Sequence, residues 1–400
     1  MKPKISFKGF KEPWEVSTLR NFFSKVNEKN ARMLYSAVLT NSAEYGIIDQ
    51  RDYFDFDVAN SNNISGYYIV QPDDFVYNPR VSVTAPVGPI NKNELGYTGV
   101  MSPLYLVFKI NGINKDYLCH YFKSNKWHKF MRISGNCGAR FDRLSISDEQ
   151  FVQMPIPYPI NSKEQQTICN YLEKIDKLIS TASSRLASLK QVKEASLQAM
   201  FPQKGETVPK IRFKGFEGEW VITKAAEIFK TVNERNFSGL PVLSATQDKG
   251  MVTRDSIGYN IFHEKSNEST YKHIVPGQFV MHLRSFQGGF AHSAIEGICS
   301  PAYTIMEFKD KEKNHDLYWK YVLTSKRFIK SLEMITYGIR DGRTISFDEF
   351  KEMVFLVPKV EEQQQIASYF TSLDKQIALQ TQRLEKLKQI KAACLDKMFV

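Results

Sequence analysis

The sequence predicts an α+β protein made by tandem duplication. Two globular domains are each followed by a long helix, and the helices pair as an antiparallel coiled coil with pseudo-twofold symmetry. Three observations predict this. The phrase "PKISFKGFKEPWEV" (Pro3 to Val16) returns 206 residues later as "PKIRFKGFEGEWVI" (Pro209 to Ile222), with eight of fourteen positions identical. Further matches follow in unchanged order. Each half then ends in a stretch of helical spacing without Pro or Gly.

The matches run along the whole chain. "FFSKVNEKN" (Phe22 to Asn30) pairs with "IFKTVNERN" (Ile228 to Asn236), and "PDDFVYNPR" (Pro72 to Arg80) with "PGQFVMHLR" (Pro276 to Arg284). "GVMSPLY" pairs with "GICSPAY", "GAR" (Gly138 to Arg140) with "GIR" (Gly338 to Arg340), and "KEQQTICNYLEKIDK" (Lys163 to Lys177) with "EEQQQIASYFTSLDK" (Glu361 to Lys375). "MF" closes both halves, at Met200-Phe201 and Met398-Phe399. Ordered self-similarity of this kind marks duplication of one unit. The expected division is 1–162 for the first domain, 163–202 for the central helix, 203–208 for a linker, 209–360 for the second domain and 361–400 for the C-terminal helix.

Within each domain, "GYYIVQPDDFVYN" and "KHIVPGQFVMHLR" read as strand, Pro-containing turn, strand. "KDYLCHYFKSNKWHKFM" and "HDLYWKYVLTSKRFIKSL" have helical spacing. In the first long helix Leu172, Ile175, Ile179, Ala182, Leu186 and Leu189 step by three and four. Phe370, Leu373, Ile377, Gln380, Leu384 and Leu387 take the matching places in the second. This is a heptad seam, with Gln380 as a polar member that can fix register. The linker after Phe201 is short. The second domain must therefore start at the far end of the first helix, which makes the pair antiparallel.

Four hundred residues exceed one ordinary core. The formal net charge of +11 raises the expectation of a polyanionic partner. The two helical stretches hold only about +3 of it, so most of the surplus lies in the globular domains. Five scattered cysteines without a CxxC pair point to a reducing, cytoplasmic compartment and away from zinc. No apolar window is long enough to span a membrane, and the N-terminus has no signal-peptide pattern.

Motifs for catalysis are absent from the sequence. There is no phosphate loop, GxGxxG after a strand, HExxH or GxSxG. "VYNPR" lacks the second Pro and aromatic of an adenine methyltransferase motif and reads as a strand-end turn. His282 and His292 share a Gly-rich stretch, but the first half has no histidine at the matching places. The sequence therefore favours recognition over catalysis.

Two repeats, each ending in an EQQ-containing helix, resemble the specificity (S) subunits of type I restriction-modification enzymes. The residues carrying the resemblance are both "FKGF…W" openings, "DFVYNPR", both SP-x-Y signatures, "EQQTICNYLEKIDKLI" and "EQQQIASYF". It implies that each globular region is a target recognition domain reading one half of a bipartite site in double-stranded DNA. It implies that the helices are spacers and dock two modification (methyltransferase) subunits. Those partners would carry S-adenosylmethionine, and restriction (translocase and nuclease) subunits would carry ATP and Mg. This chain itself would bind no cofactor and catalyse nothing. A self-contained methyltransferase or endonuclease, or a coiled-coil adaptor for proteins, is the alternative.

Base reading calls for forked or amide side chains on loops. The candidates are Arg80, Lys92, Asn93, Arg140 and Arg143 in the first domain. In the second they are Lys249, Arg254, Arg284, Gln287, Arg340 and Arg343. Arg80 matches Arg284 and Arg140 matches Arg340, which suits backbone contacts or structural roles. Arg254 and Gln287 have no counterpart and suit sequence reading. The repeated aromatics Phe7, Phe10, Trp14, Phe213, Phe216 and Trp220 are expected to anchor each domain, either to the far end of the other repeat's helix or to a modification subunit.

Overall fold

The computed structural model describes residues 1–53, 64–136, 142–246, 248–257, 265–282, 285–332 and 346–400. Two compact units result: residues 1–184 with 382–400, and residues 185–381. The long helices, Ser162–Ala199 and Val360–Lys397, each contribute to both units. The division therefore falls inside the helices and not at their ends, as the sequence had suggested. The physical reason is that each globular head is cemented to the start of its own helix and to the end of the other.

In unit 1 the central sheet is antiparallel, in the order Phe23–Lys25, Leu106–Ile110, Phe75–Tyr77, Ile90–Lys92. Side chains alternate across a strand, so this sheet feeds two cores. Phe75, Tyr77, Phe108 and Ile110 face the helix Lys115–Phe122 and Phe151. Val76 and Val107 face a second layer containing Leu39, Ile47, Val70 and Met101. Register pairs Phe75 with Phe108 and Val76 with Val107. Unit 2 repeats the pattern in the order Phe229–Val232, Thr304–Phe308, Phe279–Met281, Ala291–His292. There Phe279, Met306 and Phe308 face one core, while Val280 and Ile305 face the other.

The SP-x-Y signatures are turns between the two layers. Tyr105 N donates to Ser102 O at 3.1 Å, and Tyr303 N to Ser300 O at 3.0 Å. The segment expected to be one helix after Lys115 is broken into Lys115–Phe122 and His128–Ser134. Trp127 satisfies the freed carbonyls at the break, its indole donating to those of Phe122 and Ser124 at 3.0 Å each. Those carbonyls would otherwise need helical partners.

Opening and closing strands seal each head. Glu15–Thr18 pairs with Pro155–Tyr158, and Val221–Lys224 with Val354–Val357. This pairing delivers Trp14 and Trp220 to the start of the helix that follows the closing strand. Trp14 Nε1 donates to the buried Glu164 at 3.1 Å. Burial raises the Glu164 pKa, and the indole hydrogen bond opposes that rise. In unit 2 the matching Glu362 is held by Arg212, with both guanidinium contacts at 2.7 Å.

The next residue of the EQQ motif clamps head to helix. Gln165 accepts from Asn114 N at 3.0 Å and donates to Pro159 O at 2.8 Å. Gln363 accepts from His315 N at 2.9 Å and donates to Lys313 O and Pro358 O at 3.0 Å each.

The repeated opening phrase also reaches the other repeat's helix, as expected. Ile5 N donates to Lys397 O at 3.0 Å in unit 1, and Ile211 N to Ala199 O at 2.9 Å in unit 2. The closing Phe399 packs on Tyr117 with ring centroids 5.5 Å apart, and Phe201 on Tyr318 at 5.8 Å. Phe7 and Phe213 instead lie on Tyr171 and Tyr369 of their own helices.

Each long helix has 38 residues, roughly 57 Å at 1.5 Å per residue. Within unit 2, Lys193 meets Asp374 and Ser196 meets Tyr369, so the segments run antiparallel there. Of the predicted seam, Leu172, Ile175, Ala182, Leu186, Phe370, Leu373, Gln380 and Leu384 are buried; Ile179, Leu189, Ile377 and Leu387 are half-buried. Among the described residues no helix is long and apolar enough to cross a membrane.

Candidate nucleic-acid interface

In unit 1 the loop after the strand Phe75–Tyr77 is held from beneath by a network of amides. Asn41 Nδ2 donates to Val76 O at 2.7 Å, and its Oδ1 accepts from Asn91 Nδ2 at 2.7 Å. Asn78 Nδ2 donates to Asn41 O at 3.0 Å. Gly88 closes the loop at φ +82°, where an added Cβ would lie 2.0 Å from Asn78 O. Only glycine fits this conformation and this approach.

The loop carries Arg80, whose side chain is 69% exposed. Its backbone bridges to Arg143 in antiparallel fashion. Val81 N donates to Asp142 O at 2.9 Å and Leu144 N to Pro79 O at 2.9 Å. Arg80 and Arg143 are therefore a non-hydrogen-bonded pair, the closer-set kind, with both side chains on one face. Like charges directly opposite repel. Asp142 offsets this weakly, at 3.9 Å from Arg80 Nε. The arrangement favours an anion.

Lys92 and Asn93 are corrected from base-reading candidates to structural residues. The Lys92 side chain is 10% exposed and meets Asp116 at 2.5 Å, Asp73 at 3.5 Å and Glu94 at 3.7 Å. Burial lowers its pKa, but Asp116 and Glu94 outweigh that and the net shift is upward. Asn93 is buried; its amide donates to Tyr97 O at 3.1 Å and its Oδ1 accepts from Leu95 N at 3.1 Å.

In unit 2 Lys249 is exposed in the turn joining Val242–Thr246 to Gly250–Thr253, with its backbone N bonded to Thr246 Oγ1 at 3.1 Å. Arg254 is half-buried; it donates to Ser244 Oγ at 3.3 Å and its guanidinium lies 5.6 Å from the Tyr271 ring centre. Gln287 is exposed on the short helix Ser285–Gly288. Arg140, Arg284, Arg340 and Arg343 lie outside the described residues. His292 is buried and hydrogen-bonded to Asp316 at 2.8 Å, a bond that lowers the Asp316 pKa.

Sequence reasoning missed the Asn41–Asn91 network and a second histidine site. His273 is stacked on Phe237 at 3.8 Å, with one ring nitrogen 3.1 Å from Glu234 and the other 2.9 Å from Glu296. Burial lowers its pKa, but the two carboxylates outweigh it and the net shift is upward.

Comparison with known proteins agrees with this architecture. A family model described as the type I restriction modification DNA specificity domain matches residues 11–191 and again 217–389. A type I restriction-modification S subunit from M. genitalium is 12% identical with a TM-score of 0.59, the alignment covering 100% of this chain and 99% of that one. A chain from a structure on complex assembly and conformational transition of the type I restriction-modification system is 14% identical with a TM-score of 0.52, covering 97% and 98%. At these identities the likenesses show the fold.

Proposed function

This chain belongs to the type I restriction-modification DNA specificity family, with two copies of its domain, and on that basis we propose that each head reads one half of an asymmetric, bipartite DNA target. The observation that carries the reading is one scaffold with two different sets of loops. Both heads share the sheet order, the SP-x-Y turn and the EQQ clamp. They differ where the candidate readers stand. Arg80 and Arg143 form an anion-attracting pair in unit 1, and their counterparts Arg284 and Arg343 lie outside the described residues; Arg254, which rests on Tyr271 and Ser244 in unit 2, has no counterpart in unit 1. Phosphate contacts give position and salt dependence, while loop differences give sequence.

The long helices act as the ruler. Each has 38 residues, so the number of helical turns would set the length of the unread gap between the half-sites. The chain supplies recognition. Two modification subunits supply adenine methylation from S-adenosylmethionine, and restriction subunits supply ATP- and Mg-dependent cleavage. For docking the modification subunits, the sealed strand pairs offer apolar side chains: Val16 in unit 1, and Val221, Ile222 and Val354 in unit 2, each more than half exposed.

The test is a map of methylated adenines across a genome carrying the complete system. Exchanging the 209–360 head is expected to change one half of the target only. Adding one heptad to both helices is expected to lengthen the gap. A change in both halves, or an unchanged gap, would sink the reading.

A further inference from the structure

Unit 1 contains a half-open pocket of about 200 Å³ where the helix Lys115–Phe122 meets the first long helix. It is lined by Glu94, Asp116, Cys119, His120, Lys123, Glu173 and Asp176. His120 is 4% exposed, and its Nδ1 has no hydrogen-bond partner among the described residues. An unpartnered buried ring nitrogen is costly unless something fills the site.

Unit 2 shows what fills the equivalent place. The helix Asp316–Leu323 corresponds to Lys115–Phe122, which sets Tyr321 against His120. Tyr321 donates its hydroxyl to Asp374 at 2.8 Å and also bonds the Thr371 side chain. Asp374 takes Lys193 at 2.5 Å. In unit 1 Asp176 takes Lys391 in the same manner, and Glu173 stands where Thr371 stands. A histidine has no phenol to offer, so the carboxylates of Glu173 and Asp176 face the pocket instead.

We propose that this pocket binds a guanidinium or alkylammonium group. Two features select such a ligand. The pocket presents the carboxylates of Glu94, Asp116, Glu173 and Asp176, all acceptors, beside the single ammonium of Lys123, at the place where unit 2 has a donor. The charges are also one short of balance. Asp73, Glu94, Asp116, Glu173 and Asp176 face Lys92, Lys115, Lys123 and Lys391, so a single added cation neutralises the cluster. Burial and the nearby Lys123 lower the His120 pKa to about 4, so at neutral pH the ring adds no positive charge to the pocket. Among the described residues no three His, Cys, Asp or Glu converge closely enough for a metal ion, which favours an organic cation with several N–H donors. This inference does not depend on how the chain reads DNA.

The test is calorimetric titration of the full chain with ethylguanidinium and n-butylammonium chloride. Tetramethylammonium chloride is the charge-matched salt without N–H donors. Saturable binding of the first two is expected, with a Tm that rises on saturation. His120→Tyr supplies the hydroxyl found in unit 2, so it should fold at least as stably and bind at least roughly tenfold more weakly. Glu173→Gln, which keeps the side-chain volume, should weaken binding to a similar extent. Equal binding of tetramethylammonium, or undiminished binding in both variants, overturns the proposal. A second arm identifies the source of the cation. Weaker capture of the modification subunit by His120→Tyr, and competition by ethylguanidinium, would mark a partner's Arg or Lys. Unchanged capture alongside amine binding would mark a free small cation.

Discussion

Trp14 donates its indole N–H to Glu164, whereas the matching Trp220 leaves Glu362 to Arg212. The two repeats thus bury the same glutamate by different means. Position 6, which matches Arg212, is a serine, so unit 1 has no guanidinium there. Trp220 Nε1 has no partner among the described residues. Trp14→Phe should therefore destabilise unit 1 by about 1–3 kcal/mol through the stranded carboxylate, beyond any packing loss. Trp220→Phe should lack that component. Arg212→Met leaves a charge at 1% exposure unpaired and should cost unit 2 about 3–5 kcal/mol. Urea unfolding followed by amide exchange in each unit measures all three. Equal losses for the two tryptophans would refute the distinction.

These contacts show what was legible beforehand. The duplication, the seam and the anchoring role of the opening phrase follow from local pattern, because each recurs at fixed spacing. Lys92 was misread for a physical reason. A lysine at a strand end resembles a surface residue, and only the fold brings Asp73 and Asp116 around it. Asn41, inside "LTNSAEYG", resembles a turn residue; its role depends on Asn91, fifty positions away. The opposition of Arg80 and Arg143 likewise requires a bridge between distant segments, which no local pattern encodes.

That opposition leads to a salt-dependent prediction. Arg80→Ala and Arg143→Ala should each weaken DNA binding by the assembled complex similarly across target sequences. Each should reduce the slope of log K against log salt by roughly 1. Titration at several salt concentrations measures this. A change of target sequence with an unchanged slope would make these residues base readers instead.

His273 gives unit 2 a pH dependence that unit 1 lacks, since Ile69 holds the matching strand position. Its folded pKa is raised, so the folded state binds the proton more tightly. The resulting stability is complete below the unfolded value near 6.5 and is lost as pH rises through the folded pKa. The Tm of unit 2 should therefore fall as pH rises above about 6.5 and through the folded pKa, and His273→Gln should flatten that fall. A slope of the same size in the variant would exclude His273 as its source.

The last prediction concerns Gly88, which lets the Arg80 loop return to the sheet. At φ +82° an alanine costs about 1–2 kcal/mol from backbone conformation alone. Its Cβ would also lie 2.0 Å from Asn78 O, the residue that ties the loop to Asn41. The loop must shift to relieve that clash, taking Arg80 out of opposition to Arg143. Gly88→Ala should thus impair recognition of the half-site read by unit 1 and leave the other half-site intact. Methylation assays on targets mutated in one half at a time separate these outcomes. Equal loss at both halves would point to global unfolding, and intact recognition at both would show that the loop tolerates the shift.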